Sequence, residues 1–237
     1  FENTIKDMTA LIELLTLCKA SKVLAPCISY SEYIPLNLSV SNQEINQLET
    51  AKDYGAFIQK HLDTNKGKIA FGGYQEIRNL YKRSTVFNAK NSEERNIHIG
   101  LDLWINESAS VHAALDGRIH SLQNNTALGD YGPTIIIEHT IQNQTFHTLY
   151  GHLSEESLTG KQVGDTVSQG EQIGNLGLPP INGDYAPHLH FQIIIDMENK
   201  FGDYPGVCSS KMLDYYSKNC PDPNIILKIS NSHFTNI

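Results

Sequence analysis

Near the end of the chain, Pro187-His188-Leu189-His190-Phe191 opens an apolar run that continues to Ile195. Side chains of a strand alternate across its sheet, so Leu189 and Phe191 turn one way while His188 and His190 share the other face. Two imidazoles on an otherwise apolar strand call for a sheet with one hydrocarbon face and one chemically active face. A second stretch, His98-Ile-Gly-Leu-Asp102, repeats the demand: if it is extended, His98 and Asp102 point the same way, with Gly100 leaving room between them. A third, Tyr150-Gly-His152-Leu, adds another histidine.

An imidazole and a carboxylate from one strand, with an imidazole from another, suit a borderline cation such as zinc. Three protein ligands leave the fourth tetrahedral position for water, as catalytic zinc sites do. Such a site lowers the pKa of bound water from 15.7 to roughly 7. Hydrolysing an amide also needs a base for that water and a proton donor for the leaving amine. His152 and one of His188 and His190 are candidates for those roles. Only one of the paired histidines need bind metal, and spacing does not say which.

The rest of the chain divides by texture. Residues 1–67 read as a helical region. Ile5, Met8, Leu11, Ile12, Leu15 and Cys18 recur at three and four, and Ser41-Asn-Gln-Glu44 has the capping-box pattern of a second helix start. Ile45, Leu48, Ala51, Ile58 and Leu62 mark that helix's buried face, and Asn65-Lys-Gly67 stops it. From residue 68 to 200 the pattern is one of short β runs with turn signals between them. Asp116-Gly117 reads as a hairpin turn joining 111–115 to 118–122. Residues 134–138, 146–150 and 189–195 read as further strands, and 163–173 as two very short ones about Gly170. Residues 201–237 read as an irregular C-terminal extension packed on the core.

With a net charge of −8, binding driven by nucleic-acid phosphates is disfavoured, and any polymeric substrate must be held by a local groove. No apolar run approaches the roughly 20 residues that span a bilayer. Leu11 to Leu17 is short, carries Glu13 and follows no basic region, so it is a poor export signal. The chain begins at Phe1, which leaves room for a signal already removed. The cysteines fall into local pairs, Cys18/Cys27 and Cys208/Cys220; two disulfides would suit an exported protein and four thiols a cytosolic one. An extracytoplasmic location is the expectation.

In order along the chain, His98-x-Gly-x-Asp102, Tyr150-Gly-His152-Leu and His188-Leu-His190-Phe resemble the motifs of the LytM/lysostaphin-type zinc endopeptidases of bacterial cell walls. Ala114-Leu-Asp-Gly-Arg-Ile119, Gly132-Pro-Thr-Ile-Ile-Ile-Glu-His139 and Val163 to Gly174 resemble that family too. The likeness covers about residues 70–195. It implies a mainly β fold, an antiparallel sheet with an open groove and a barrel-sandwich-like core, beside the N-terminal helical segment. It further implies that His98, Asp102 and His190 bind Zn2+, that His152 and His188 are the catalytic histidines, and that peptidoglycan stem peptides or cross-bridges are the substrate. The sequence departs from the family at Gln192, where a glutamate is usual, and over 183–187, which lacks the usual small residues, so one groove wall differs.

Blander readings apply elsewhere. His61, His112, His120, His147 and His233 read as ordinary surface or core histidines, His139 as structural, and Tyr150 as a packed strand tyrosine. Asp130 and Asp184 read as turn residues. Residues 164–170 resemble the turns of biotinyl- and lipoyl-type domains, but no lysine stands at a hairpin tip. Two rivals to the peptidase remain. One is a non-haem iron oxygenase built on a two-His-one-carboxylate triad, which leaves His152 and His188 without work. The other is a non-catalytic cell-wall-binding or regulatory relative, a class in which ligands are typically lost, whereas this chain keeps all five groups.

Overall fold

The structure, a computed structural model, describes residues 2–80 and 93–229. Helix α1 (Glu2–Leu17) leads through a loop to strand β1 (Tyr33–Pro35), helix α2 (Ala51–Asn65) and strand β2 (Ile69–Gly72). There follow β3 (Ile97–His98), β4 (Leu101–Trp104), β5 (Ser110–His112), β6 (Gly117–Asn125), β7 (Gly132–Ile141) and β8 (Gln144–Gly151). The described chain ends with β9 (Thr166–Val167), β10 (Gln172–Asn175), β11 (His188–Ile194), β12 (Val207–Cys208) and the short helices α3 (Leu213–Asn219) and α4 (Asn224–Leu227).

Eight strands form one sheet in the order β1-β2-β4-β11-β8-β7-β6-β9, while β10-β5 and β12-β3 make two smaller ones. All pairings are antiparallel except β1 with β2. The fold is mainly β, as expected, and β11 lies near the middle with β4 on one side and β8 on the other.

Alternation decides what each face carries. Leu101, Leu103, Leu189, Phe191, Ile193, Phe146 and Tyr150 turn to one side and join the largest apolar cluster. Leu11 and Leu15 of α1 and Val111 and Ile173 of the β5–β10 sheet close over it. On the opposite face, Trp104 and Ala70 pack against α2 through Tyr54, Ile58 and Leu62. Farther along that face, Ile136, Leu149 and Ile194 meet Tyr204, Cys208 and Cys220 of the C-terminal segment. Between these two lids the polar groups of β4 and β11 are enclosed.

Two local expectations are corrected. The second helix starts at Ala51, not near Ser41: Thr50 and Asp53 form its capping box, while Asn42 caps only a single 3-10 turn at 43–45. Helix α2 ends on Lys66, which takes the left-handed conformation at φ 54°. Asp116-Gly117 does not join a hairpin, because β5 pairs with β10 whereas β6 pairs with β7 and β9. The true hairpin turn is Gln142-Asn143 between β7 and β8, with both φ positive at 48° and 66°. The cysteines Cys18, Cys27, Cys208 and Cys220 are free thiols, the last two buried. Among described residues no helix is long and apolar enough to cross a membrane. His233 and the side chains of Ile5 and Met8 lie outside the described set.

Candidate metal centre

Strand pairing builds the site. On β11, His190 stands opposite Asp102 of β4 and opposite Gly151 of β8, and His188 stands opposite Trp104. His98 belongs to β3, and the extended structure is interrupted at Ile99-Gly100 before β4 begins, so the segment 98–102 is not one continuous strand. The break does not separate the pair: His98 Nε2 lies 3.2 Å from Asp102 Oδ1. Gly100 is required there, since a Cβ would stand 2.4 Å from His190 Cε1.

His190 Nδ1 is 2.9 Å from His98 Nε2 and 3.2 Å from Asp102 Oδ1. His98, Asp102 and His190 are all buried, and among described residues they are the one cluster of its kind whose ligand atoms lie within 4.8 Å of one another. His188 stands just outside the cluster, with Nε2 3.9 Å from Asp102 Oδ1. His152 lines the same cavity of about 190 Å³ as the other four. The structure therefore brings all five sequence-predicted groups together, and it is His190 rather than His188 that joins His98 and Asp102.

The outer hydrogen bonds fix which nitrogen of each ring faces inward. His98 Nδ1 donates to the Gly73 carbonyl at 2.9 Å, and His190 Nε2 donates to Gln192 Oε1 at 2.9 Å. His152 Nδ1 donates to Asn182 O and His188 Nδ1 to Ala186 O, both at 2.8 Å. Each neutral ring then turns a lone pair into the cavity. Two facing lone pairs and a carboxylate oxygen repel one another unless a cation sits between them. Their separations also fit a tetrahedral zinc with bonds of roughly 2.0 Å, which sets its ligands about 3.3 Å apart. The donor set, two imidazole nitrogens and one carboxylate oxygen, suits that ion.

The electrostatics agree. Burial alone would raise the Asp102 carboxyl, but His98, Arg78 and His188 hold it well below the usual carboxylate range. Burial lowers His98 itself, so of those partners only Arg78 carries a permanent charge. Burial, with neighbouring imidazoles, pushes His152 well below the ordinary histidine value, and burial brings His188 to about 4. Both are neutral bases at neutral pH.

Surrounding groups lock the rings in place. The Trp104 indole stacks on His188 with centroids 3.8 Å apart, and the His152 ring lies 4.2 Å from that of His188. His152 has φ 63°, a left-handed conformation costing roughly 1–3 kcal/mol outside glycine. Its N–H donates to Tyr131 O and its carbonyl accepts from Gly177 N–H, both at 2.8 Å, which holds it there. Tyr185, from the segment that departs from the family pattern, forms part of the wall, 5.2 Å from His152 and 5.8 Å from His188.

Sequence reasoning missed Trp104, Glu76, Arg78 and Gly73. Trp104 could have been found as the residue two beyond Asp102, sharing its face. Arg78 Nη1 donates to Asp102 Oδ2 at 2.6 Å, and the guanidinium also meets Glu76. Tyr150 and His139 are structural, as expected. The Tyr150 hydroxyl accepts from Ala114 N–H at 2.8 Å, and His139 bonds to Asp116 O and Thr148 Oγ1 at 2.8 and 2.7 Å.

A mainly β sheet that gathers two imidazoles, a carboxylate and two further neutral histidines in one cleft defines a candidate metallohydrolase. Residues 96–201, less than half the chain, match the family model of peptidase family M23. Over that segment the chain is similar to peptidase family M23, in keeping with the LytM/lysostaphin-type motifs that it carries. No curated protein matches the chain.

Solved structures with local similarity include the SpoIIQ–SpoIIIAH pore-forming complex (25% identity, TM-score 0.34, 48% of this chain and 61% of that one). Another is the catalytic domain of lysostaphin from Staphylococcus simulans (24%, 0.36, 52% of this chain and 80% of that one). A third is the catalytic domain of a variant of EnpA, a prophage-encoded M23 protein of Enterococcus faecalis (21%, 0.36, 49% of this chain and 84% of that one). The chain thus spans about three fifths of the first and four fifths of the others.

Proposed function

We propose that this protein is a zinc-dependent endopeptidase that hydrolyses peptide bonds in peptidoglycan stem peptides or cross-bridges. The observation that carries the reading is the convergence of His98 Nε2, His190 Nδ1 and Asp102 Oδ1 within 3.2 Å, beside two more neutral histidines. The family match over residues 96–201 supports it.

His98, Asp102 and His190 would hold the zinc, which when bound supplies an acidified water and a positive charge for the carbonyl oxygen. His152 and His188, anchored through Nδ1, present Nε2 to the reacting groups. The bare Nε2 of one takes a proton from the attacking water, and the imidazolium so formed can donate to the carbonyl oxygen and then to the leaving nitrogen, while the bare Nε2 of the other accepts a hydrogen bond from the water and orients it. The hydroxyl goes to the carbonyl carbon, the C–N bond breaks, and the proton ends on the leaving nitrogen. The same reading assigns an extracytoplasmic location, where the substrate lies, and divides the chain into a helical region (1–67), the peptidase domain (68–200) and a C-terminal extension (201–237).

The test is mass spectrometry of fragments released from purified peptidoglycans of different cross-link chemistry, with and without chelator, beside metal analysis. New amine termini that disappear with chelator are expected. Zinc-loaded protein that releases none would favour the binding relative, and iron with oxygen-dependent turnover would favour the oxygenase.

A further inference from the structure

The carboxylate of Asp102 is used on both sides. Oδ1 faces His98 and His190, each at 3.2 Å, while Oδ2 accepts from Arg78 Nη1 at 2.6 Å. Arg78 is 2% exposed, and its Nε donates to Glu76 Oε2 at 2.6 Å. The other oxygen of Glu76, Oε1, accepts from the Leu38 backbone N–H at 2.9 Å. A relay therefore runs from the Leu38 backbone through the partly buried Glu76 and the buried Arg78 to Asp102. Leu38, Glu76 and Arg78 all precede the segment that matches the peptidase family, which begins at residue 96.

The same loop reaches a second member of the cluster. Gly73, at φ 101°, accepts from His98 Nδ1 at 2.9 Å, and a Cβ on it would stand 2.0 Å from Arg78 Nη2. Only a glycine lets the guanidinium lie this close to the His98 ring. A buried guanidinium is tolerated only when it is paired and hydrogen-bonded, and here two carboxylates flank it. Its planar fork suits the task, with one edge for each partner.

We propose that Arg78, held by Glu76, is a positioning residue that pins Oδ2 of Asp102, so that the carboxylate offers the metal Oδ1 alone. This rests on the zinc peptidase reading. Without Arg78, Asp102 is free to swing and engage the cation through both oxygens, while Glu76 is left as a second, partly buried carboxylate nearby. Partners that orient metal ligands typically contribute about 10–100-fold to metal affinity.

The test measures zinc affinity by chelator competition, and ligand geometry from the visible spectrum of the Co2+-substituted protein, on the full chain. Arg78→Met is expected to weaken zinc binding about 10–100-fold and to shift and weaken the cobalt bands as the carboxylate becomes bidentate. Arg78→Lys, which keeps the charge but loses the fork, should recover part of both. Should Arg78→Met not fold, Glu76→Gln decides, with an expected several-fold loss of zinc affinity. A folded Arg78→Met, or in its place Glu76→Gln, with wild-type zinc affinity and an unchanged cobalt spectrum overturns the proposal alone. Wild-type protein that takes up neither zinc nor cobalt overturns the peptidase reading itself.

Discussion

The Trp104 indole lies flat on the His188 imidazole, with ring planes within 16° and centroids 3.8 Å apart. The two residues are register partners on β4 and β11, so backbone pairing sets their contact before any side chain chooses a rotamer. With Nδ1 tied to Ala186 O, stacking removes the remaining freedom of the ring. Trp104→Phe should keep most of the turnover. Trp104→Ala should lose turnover about tenfold or more with zinc retained, and stability by about 3–5 kcal/mol. Steady-state kinetics, zinc content and thermal melts separate these effects.

The division of labour among the five groups predicts opposite phenotypes. His98→Ala or Asp102→Ala should remove both zinc and activity. His152→Ala should keep zinc but lower turnover by about 10²–10⁴. Metal analysis beside peptidoglycan digestion decides; a His152→Ala protein that comes out metal-free would reverse the assignment.

Gly100 tests how closely the cluster is packed. A methyl group there would stand 2.4 and 2.6 Å from Cε1 and Nε2 of His190, so the ring must rotate out of the cluster. Gly100→Ala is expected to fold but to bind zinc about tenfold or more weakly, read by chelator competition.

His139 gives the fold a pH dependence separate from the active site. Burial lowers its pKa to about 4 from an ordinary 6.5, so the unfolded chain binds the proton more tightly. The stabilisation from burying this ring neutral is complete above pH 6.5 and is lost as pH falls towards 4. By pH 5 the loss is about 2 kcal/mol from this residue. The melting temperature should therefore fall less between pH 7.5 and 5 in His139→Gln than in wild type.

The parts of the site that were legible are those where chemistry and period coincide. His188 and His190 alternate with Leu189 and Phe191, so one short stretch of sequence reveals both the strand and its active face. Arg78 and Glu76 stayed hidden because their meaning lies in pairing with a residue of a different strand, and a buried charge looks like any surface charge in sequence. Their signal was faint: two charges at alternate positions after the pair Gly72-Gly73. The start of α2 was misplaced for a related reason. Both Ser41-x-x-Glu44 and Thr50-x-x-Asp53 can form capping boxes, and only the second precedes a segment whose apolar residues reach the sheet. Asp116-Gly117 looked like a hairpin, but the strand before it belongs to a different sheet.

Strand β11 binds recognition of the fold and possession of chemistry into a single event. Were its ladder to slip by one position against β4 and β8, Leu189 and Phe191 would be thrust towards His98 and both imidazoles driven into hydrocarbon. Misregistered chains would thus forfeit the packed face and the histidine cluster together.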